Sequence, residues 1–539
     1  MQINKIIILG GGSAGWMTAA ALASKMSHID TTLIESSDIP TIGVGESTLG
    51  EINAFLRLLD LDEKEWMAAC HATYKMSIDF TNWDGKETRF HYPFGNHVKY
   101  VDEVTPLKDR SHWFQRKMLC DDVPNTEYAE LLFDTIEIID NNKFTKNKDK
   151  FFRNFTENDI AYHFDATLFG EWLKNEYCKP KGVNHIVGTY VESHLNEQGY
   201  IEYIKLKDSD KKYYADLFID CTGFNGLLIK KLMKVKRDSF SDVLINDRAL
   251  ATTIPYTDKN LEMEATTNAT TMNAGWCWNI PLYNRIGTGY VYSSQFLTED
   301  EAELEFREYL LKHRKPYANK QPLKNILKLN IDSGIMEEPW YKNVIAVGLS
   351  CGFVEPLEST GLLLTHKTIQ KIISILSVSE NGKNVTKYRT DSFNNWVHKD
   401  ITLASFIAMH YAFASREDTD YWKYIKHDSK YKSNIIQFNG LTNLLHEMVV
   451  PAHWLQDSLN HYFGPKEGIS CIMAGMGYNP VGLVDIEDFY SKTALQQLKD
   501  YLNIIDSFLY EKRLRNMEKV NTLPTHYEYL KENIYNGEE

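Results

Sequence analysis

The chain has 539 residues, 43% of them hydrophobic and 24% charged, an ordinary globular composition with ample length to bury a large core around a ligand. Disorder and a disulfide-stapled miniprotein are excluded. With 59 basic against 73 acidic residues, a formal charge of −14, a pI near 5.7 and no polybasic block, neither nucleic acid nor an anionic membrane is an expected partner.

The first elements read as a β-α-β unit. Ile6 to Leu9 is a short buried-strand run, glycines follow, an apolar helical stretch continues through Ala23, and Thr31 to Glu35 forms a second strand. Lys5, this apolar run and Ala21-Leu22-Ala23 imitate a secretory signal, but Gly10 to Ser13 interrupt the apolar core. No stretch reaches the ~18 uninterrupted apolar residues of a membrane span. The seven cysteines are scattered without a Cys-x-x-Cys pair and read as reduced thiols of a cytoplasmic protein, with no zinc or other metal site.

Gly10-Gly11-Gly12-Ser13-Ala14-Gly15 satisfies G-x-G-x-x-G between a strand and a helix. Gly10 permits the tight turn, Gly12 lets the backbone approach a pyrophosphate, and Gly15 lets the helix pack on the strand. The helix start then offers free N–H groups and its positive dipole end to phosphates. Glu35 closes the second strand, where a carboxylate accepts hydrogen bonds from the ribose hydroxyls of an adenosine. These residues predict a dinucleotide site but do not choose between NAD and FAD, and no second fingerprint announces a separate NAD(P)H domain.

Farther on, Tyr74 to Phe80 alternates as a strand, with Lys75, Ser77 and Asp79 on one face and Tyr74, Met76, Ile78 and Phe80 on the other. Asn141 to Lys150 reads as a solvated loop. Leu217 to Asp220 and Val344 to Val347 are further strands, each followed by a glycine-bearing turn, at Gly223 and Gly348. Gly275 to Leu282 is tryptophan-rich. From Asp391 amphipathic helical patterns dominate, including Asn394 to Met409 and Thr493 to Leu514, and the last dozen residues are expected to fray. The expected fold is thus α/β, its sheet wound from distant segments. Residues 1–390 are expected to form the core, and 391–539 a mostly helical region completing a pocket.

Three more stretches bear on the cofactor. Thr41-Ile42-Gly43-Val44-Gly45-Glu46-Ser47-Thr48 is a second glycine-rich loop, Gly275-Trp276-Cys277-Trp278-Asn279-Ile280-Pro281 reads W-x-W-x-I-P, and Gly352 to Gly361 (GFVEPLESTG) precedes an apolar helix. With the N-terminal fingerprint, and with His410 to Trp422 and Ala474 to Gly477, they run in the order found in the flavin-dependent tryptophan halogenases, which this chain strongly resembles over most of its length. W-x-W-x-I-P is the most specific element.

The resemblance implies an FAD-binding Rossmann-like core of the glutathione reductase/hydroxylase type. It also implies an enzyme that uses reduced FAD and oxygen to turn halide into hypohalous acid, which travels through a tunnel to an electron-rich aromatic substrate. Gly45, Glu46, Ser47, Gly223 and Gly348 join Gly10, Gly12, Ser13, Ala14, Gly15 and Glu35 as expected cofactor contacts. Thr360 and Gly361 would hold the halide by their N–H groups. Lys75 matches the family lysine that hydrogen-bonds hypohalous acid or becomes a haloamine, positioning one halogen over one ring carbon. Glu358 matches the glutamate that stabilises the cationic ring intermediate and accepts its proton, and Ser359 would link it to Lys75.

Trp276 and Trp278, two apart on an extended segment, put their rings on one face and would wall the substrate from the flavin. Phe94 and Trp454 are the other expected pocket walls. The family's His-Pro-Phe is here His91-Tyr92-Pro93-Phe94, so a tyrosine stands before Pro93. That change favours an indole or phenol other than free tryptophan; chloride, bromide and iodide stay open as co-substrates, as does self-association. A separate flavin reductase is the implied partner. The competing readings are a flavin monooxygenase, a nicotinamide dehydrogenase and a non-catalytic flavin-binding sensor.

Overall fold

A computed structural model describes residues 1–38, 45–95, 112–119, 122–146, 159–313, 326–399, 401–439, 466–477 and 491–537. The chain divides into two compact units, one of residues 1–72, 162–241 and 331–401, the other of residues 73–161, 242–330 and 402–539.

The first unit is built on a six-stranded sheet in the order Trp340–Tyr341, Val344–Ala346, Leu217–Asp220, Lys5–Leu9, Asp30–Glu35, Asn184–Val187. All neighbours are parallel except the short edge strand Trp340–Tyr341. Its central strands are continuous apolar runs, as a sheet covered on both faces requires: Ile6, Ile8, Leu33, Phe218 and Ile219 are all fully buried. Helix Ser13–Lys25 buries every residue from Gly15 to Leu22, and helix Gly361–Val378 buries Leu362 to His366 among others.

The second unit is built on a seven-stranded sheet in the order Leu327–Asn330, Arg248–Ile254, Ile286–Tyr292, Gly275–Pro281, Thr266–Met272, Ser77–Thr81, Arg89–Pro93. Its pairs are antiparallel apart from Thr266–Met272 with Ser77–Thr81. Helix Lys466–Gly475 lies against the last strand at glycine: a Cβ on Gly475 would stand 2.1 Å from the Phe90 ring, which gives the Ala474 to Gly477 motif a packing role. The His410 to Trp422 motif is likewise tied to a strand, for Arg416 Nη1 and Trp422 Nε1 donate to the Met272 carbonyl at 3.1 and 2.8 Å.

Several sequence expectations need correcting. Tyr74 to Phe80 is not one strand but Thr73–Lys75 and Ser77–Thr81, divided at Met76, whose N–H donates to Ala265 and whose carbonyl accepts from Phe94, both at 2.7 Å. Neither face is solvated: Lys75, Ser77 and Asp79 are as fully buried as Met76, Ile78 and Phe80. The described half of the expected Asn141 to Lys150 loop is anchored, since Phe144 is buried and stacks on Tyr74 with ring centroids 4.6 Å apart. Residues 528–537, the described part of the last dozen, do not fray. Helix His526–Asn533 has a full capping box at Thr525 and Glu528, and Tyr535 stacks on Tyr283 at 3.5 Å. From Asn394 to Met409 the described residues are helical as expected, in Lys387–Lys399 and Ile401–Phe413, and the helix expected from Thr493 spans Lys492–Val520.

Candidate active site

In the first unit the glycine-rich turn has the shape a dinucleotide needs. Gly10 has φ +113°, and a Cβ there would lie 2.3 Å from the Cys221 carbonyl oxygen; one on Gly15 would lie 1.9 Å from that of Gly10. Both contacts forbid any side chain, while a Cβ on Gly12 or Gly223 would meet nothing within 4 Å. The backbone at Gly12 and Gly223 is therefore open to a ligand, and Gly12 leaves the helix Ser13–Lys25 without a side-chain cap, its first N–H groups available to phosphate. Ser13 Oγ donates to the Ala166 carbonyl at 3.2 Å, and Ala14 packs toward Gly348, itself at φ +74°.

Glu35 Oε1 accepts from His185 Nε2 at 2.8 Å and Lys174 Nζ at 3.1 Å. Gly11 is the counterpart that sequence reasoning left unassigned: a Cβ on it would fall 1.7 Å from Glu35 Oε2. Asp220, at the end of its strand, is consumed internally, taking the N–H groups of Thr222, Leu228 and Ile229 at 3.0, 2.7 and 2.9 Å. Cys221 and Cys351 are buried, and burial pushes the Cys221 thiol well above its ordinary range, which suits an inert core residue.

The second glycine-rich loop is described from Gly45, at φ +100°; its residues 41–44 lie outside the described ones. Glu46 pairs with Phe164 in a short antiparallel bridge. Its carboxyl is pushed up to about 7, by burial first and by the Asp165 charge second. Its Oε2 stands 3.3 Å from where a Cβ on Gly361 would be, so this carboxyl borders the start of helix Gly361–Val378. Next to it Ser47 Oγ and Ser359 Oγ are 3.0 Å apart, and Ser359 adopts φ +58°, a left-handed conformation that costs a non-glycine residue about 1 kcal/mol or more. Glu358 is 1% exposed in the turn before it. Thr360 Oγ1 is buried with no hydrogen-bond partner among the described residues, a polar atom suited to a bound ion or water at the helix start.

In the second unit Lys75 is 0% exposed, with Nζ 5.0 Å from the centroid of the Phe94 ring, within cation–π range. Two hydrogen bonds fix the segments on either side of this contact: Phe94 N–H donates to the Met76 carbonyl at 2.7 Å, and the Thr73 side-chain hydroxyl donates to the Pro281 carbonyl at 2.6 Å. The second tie joins the lysine segment to the end of W-x-W-x-I-P. Trp276 and Trp278 lie on strand Gly275–Pro281 with centroids 6.2 Å apart at 59°. Trp278 lies over Gly289 on the neighbouring strand, where a Cβ would stand 2.1 Å from Cη2. A glycine inside a strand signals close approach, so Gly289 carries a sign of this contact in the sequence. Trp454 lies outside the described residues.

A parallel sheet with helices on its faces, opened by a strand, glycine turn and helix, defines a Rossmann-type dinucleotide-binding core. The chain belongs to the tryptophan halogenase family, whose sequence profile matches residues 5–486, and is an enzyme of the flavin-dependent halogenase type. It is 34% identical to tryptophan 6-halogenase SttH of Streptomyces toxytricini over 98% of both chains. It is 32% identical to 7-chloro-L-tryptophan 6-halogenase KtzR of Kutzneria sp. (strain 744), over 97% of this chain and 98% of that one. The apo structure of VirX1 superposes with a TM-score of 0.84 at 37% identity, covering 99% of this chain and all of that one. Among the described residues no helix is long and apolar enough to cross a membrane.

Proposed function

We propose that this enzyme uses reduced FAD and oxygen to halogenate an electron-rich aromatic compound of the indole or phenol type, with hypohalous acid delivered to Lys75. When bound, reduced FAD with oxygen supplies the oxidising equivalents that turn halide into hypohalous acid. The observation that carries the reading is the fully buried lysine over Phe94: burial of an ammonium is costly, and a site built to hold one beside an aromatic wall suits a hydrogen-bond donor for the oxidant.

In this reading Gly10, Gly12, Ser13, Ala14, Gly15, Glu35, Gly45, Glu46, Ser47, Gly223 and Gly348 hold FAD, which fits the open backbone at Gly12 and Gly223. Thr360 and Gly361 hold the halide, which fits the unsatisfied Thr360 hydroxyl. Lys75 aims the electrophilic halogen, and hypohalous acid plus arene gives aryl halide plus water. Glu358 accepts the ring proton, and Ser359 helps hold it in place. Trp276, Trp278, Phe94 and Trp454 wall the substrate, and residues 391–539 complete its pocket. A separate reductase in the cytoplasm supplies the reduced flavin. Chloride, bromide and iodide are all candidates for the halide. Tyr92 before Pro93 favours a substrate other than free tryptophan.

The test is a panel of indoles and phenols, free tryptophan included, incubated with the purified protein, FAD, a flavin reductase, NADH, oxygen and each halide in turn. Halogenated product from a non-tryptophan arene is expected. Hydroxylated product alone would replace the reading with a monooxygenase, and no turnover of any arene would leave a flavin-binding sensor.

A further inference from the structure

The acid assigned to the adenosine ribose is itself held in place. Glu35 Oε1 takes His185 Nε2 at 2.8 Å and Lys174 Nζ at 3.1 Å, and all three side chains are mostly buried. A carboxylate can accept at about four lone-pair sites, shared between its two oxygens. Both donors fall on Oε1. Oε2 turns toward Gly11, where a Cβ would stand 1.7 Å from it, so this oxygen lies over the glycine turn, one residue from the open backbone of Gly12. The bond from His185 requires only a proton on Nε2, and a neutral ring supplies it as well as a charged one.

The two donors come from different elements and share one support. His185 is on strand Asn184–Val187, opposite Leu33 of the strand that ends at Glu35. Lys174 is in the π-helical turn Leu173–Cys178, which continues helix Ala166–Trp172; such turns are rare and concentrate at functional sites. Trp16, the residue after the glycine fingerprint, is fully buried and meets both donors. Its ring lies edge-on to His185 with centroids 5.3 Å apart, and Lys174 Nζ stands 5.8 Å from its centroid. Glu171 holds the same ammonium at 3.3 Å. Ordering a lysine costs side-chain entropy, and here that cost fixes one carboxylate oxygen while the other is offered to the turn.

We propose that Lys174 and His185 are positioning residues for Glu35, pinning Oε1 so that Oε2 meets the hydroxyls of the adenosine ribose, with Trp16 tying both donors to the helix Ser13–Lys25. A carboxylate fixed before its ligand arrives loses no rotamer freedom on binding. The gain in affinity therefore goes only to a ligand that carries those hydroxyls. This inference rests on the reading of the glycine turn and Glu35 as an FAD site.

Binding of oxidised FAD to the full chain, followed by the change in flavin fluorescence, is compared with binding of the FAD analogue that lacks both hydroxyls of the adenosine ribose. The wild type is expected to prefer FAD by at least about tenfold, the size of a hydrogen bond to a charged group. Lys174→Met keeps the length of the side chain and removes the ammonium; His185→Phe keeps a ring against Trp16 and removes the donor. Each is expected to reduce the preference to about threefold or less while leaving the affinity for the analogue within about twofold of wild type. Glu35→Ala is expected to abolish the preference. Variants that weaken both ligands equally and keep the preference would overturn the positioning role, because the pair would then serve the fold alone. A wild type that binds the two ligands alike would overturn it too, with the FAD site itself intact. No binding of FAD would remove the cofactor reading and the proposal with it.

Discussion

The backbone N–H of Tyr74 donates to Nε2 of His526 at 3.2 Å, although 452 positions separate the two residues. Nδ1 of the same ring bonds the Met263 carbonyl at 3.0 Å, so Nδ1 carries the proton and the ring is neutral. Phe144 packs against it with centroids 5.2 Å apart. The segment that ends at Lys75 is thus held from the far end of the chain.

Burial pushes the His526 pKa down to about 4. The unfolded chain takes up this proton near pH 6.5, and the folded chain only near 4. The stability that depends on the neutral ring is therefore present above about 6.5 and is lost as pH falls toward 4, by about 3 kcal/mol in total. His526→Asn is expected to remove about half of the acid slope, leaving a part of similar size due to His366, which burial pushes down to about 3. Urea unfolding at pH 7 and 4.5 measures both. An unchanged slope in the variant would detach His526 from acid sensitivity.

Gly289 leaves room for the Trp278 ring. Alanine there would stand 2.1 Å from Cη2 and 2.4 Å from the Leu250 carbonyl oxygen, so Gly289→Ala is expected to destabilise the protein by about 1–3 kcal/mol, as overpacked cores do. Trp278→Leu in the same chain should recover the part due to the ring. The double-mutant cycle in denaturant reads this coupling directly, and additive losses would show that the glycine serves the backbone contact alone.

Glu46 borders the helix start at Gly361 with a carboxyl pushed up to about 7. Protonation favours the folded state here, so its contribution is present below about 4.5 and is lost as pH rises through about 7, reduced by solvent because the residue is partly exposed. At the proposed halide site the same ionisation sets a negative charge beside the anion. Halide affinity, measured by calorimetric titration with bromide, is expected to fall as pH rises through about 7. In Glu46→Gln it should be independent of pH over that range, and a retained slope would assign the effect to another group.

The Rossmann core was legible because a parallel sheet buried on both faces leaves continuous apolar strands, and because Gly10 and Gly15 sit where any Cβ would strike backbone. Such constraints act on single positions and leave a mark in sequence. The burial of the Lys75 segment was not legible for a physical reason: Ser77 and Asp79 look like a solvated face, yet their hydrogen bonds to Thr266, His91, Arg89 and Asn268 satisfy them in the interior. Polar residues that find one another across strands carry no local signal. His526 left none either, since a lone histidine in a polar tail differs from its neighbours only in the fold.

Lys75 is the residue on which the proposed chemistry turns, and its burial makes the choice of replacement matter. Lys75→Ala leaves a cavity beside Phe94, whereas Lys75→Met keeps most of the volume of the side chain and removes only the amine. Both are expected to lower halogenated product by at least about 100-fold, the usual size of a lost proton-handling or positioning group. The flavin contacts assigned above lie on residues 1–72, 162–241 and 331–401, and Lys75 is not among them, so flavin oxidation by oxygen should stay within about twofold of wild type, well under 1 kcal/mol in the barrier. Product and flavin oxidation measured in one reaction separate the two effects. If both fall together in Lys75→Met, the lysine supports the fold or the flavin site; if product is unchanged, the halogen reaches the arene without it.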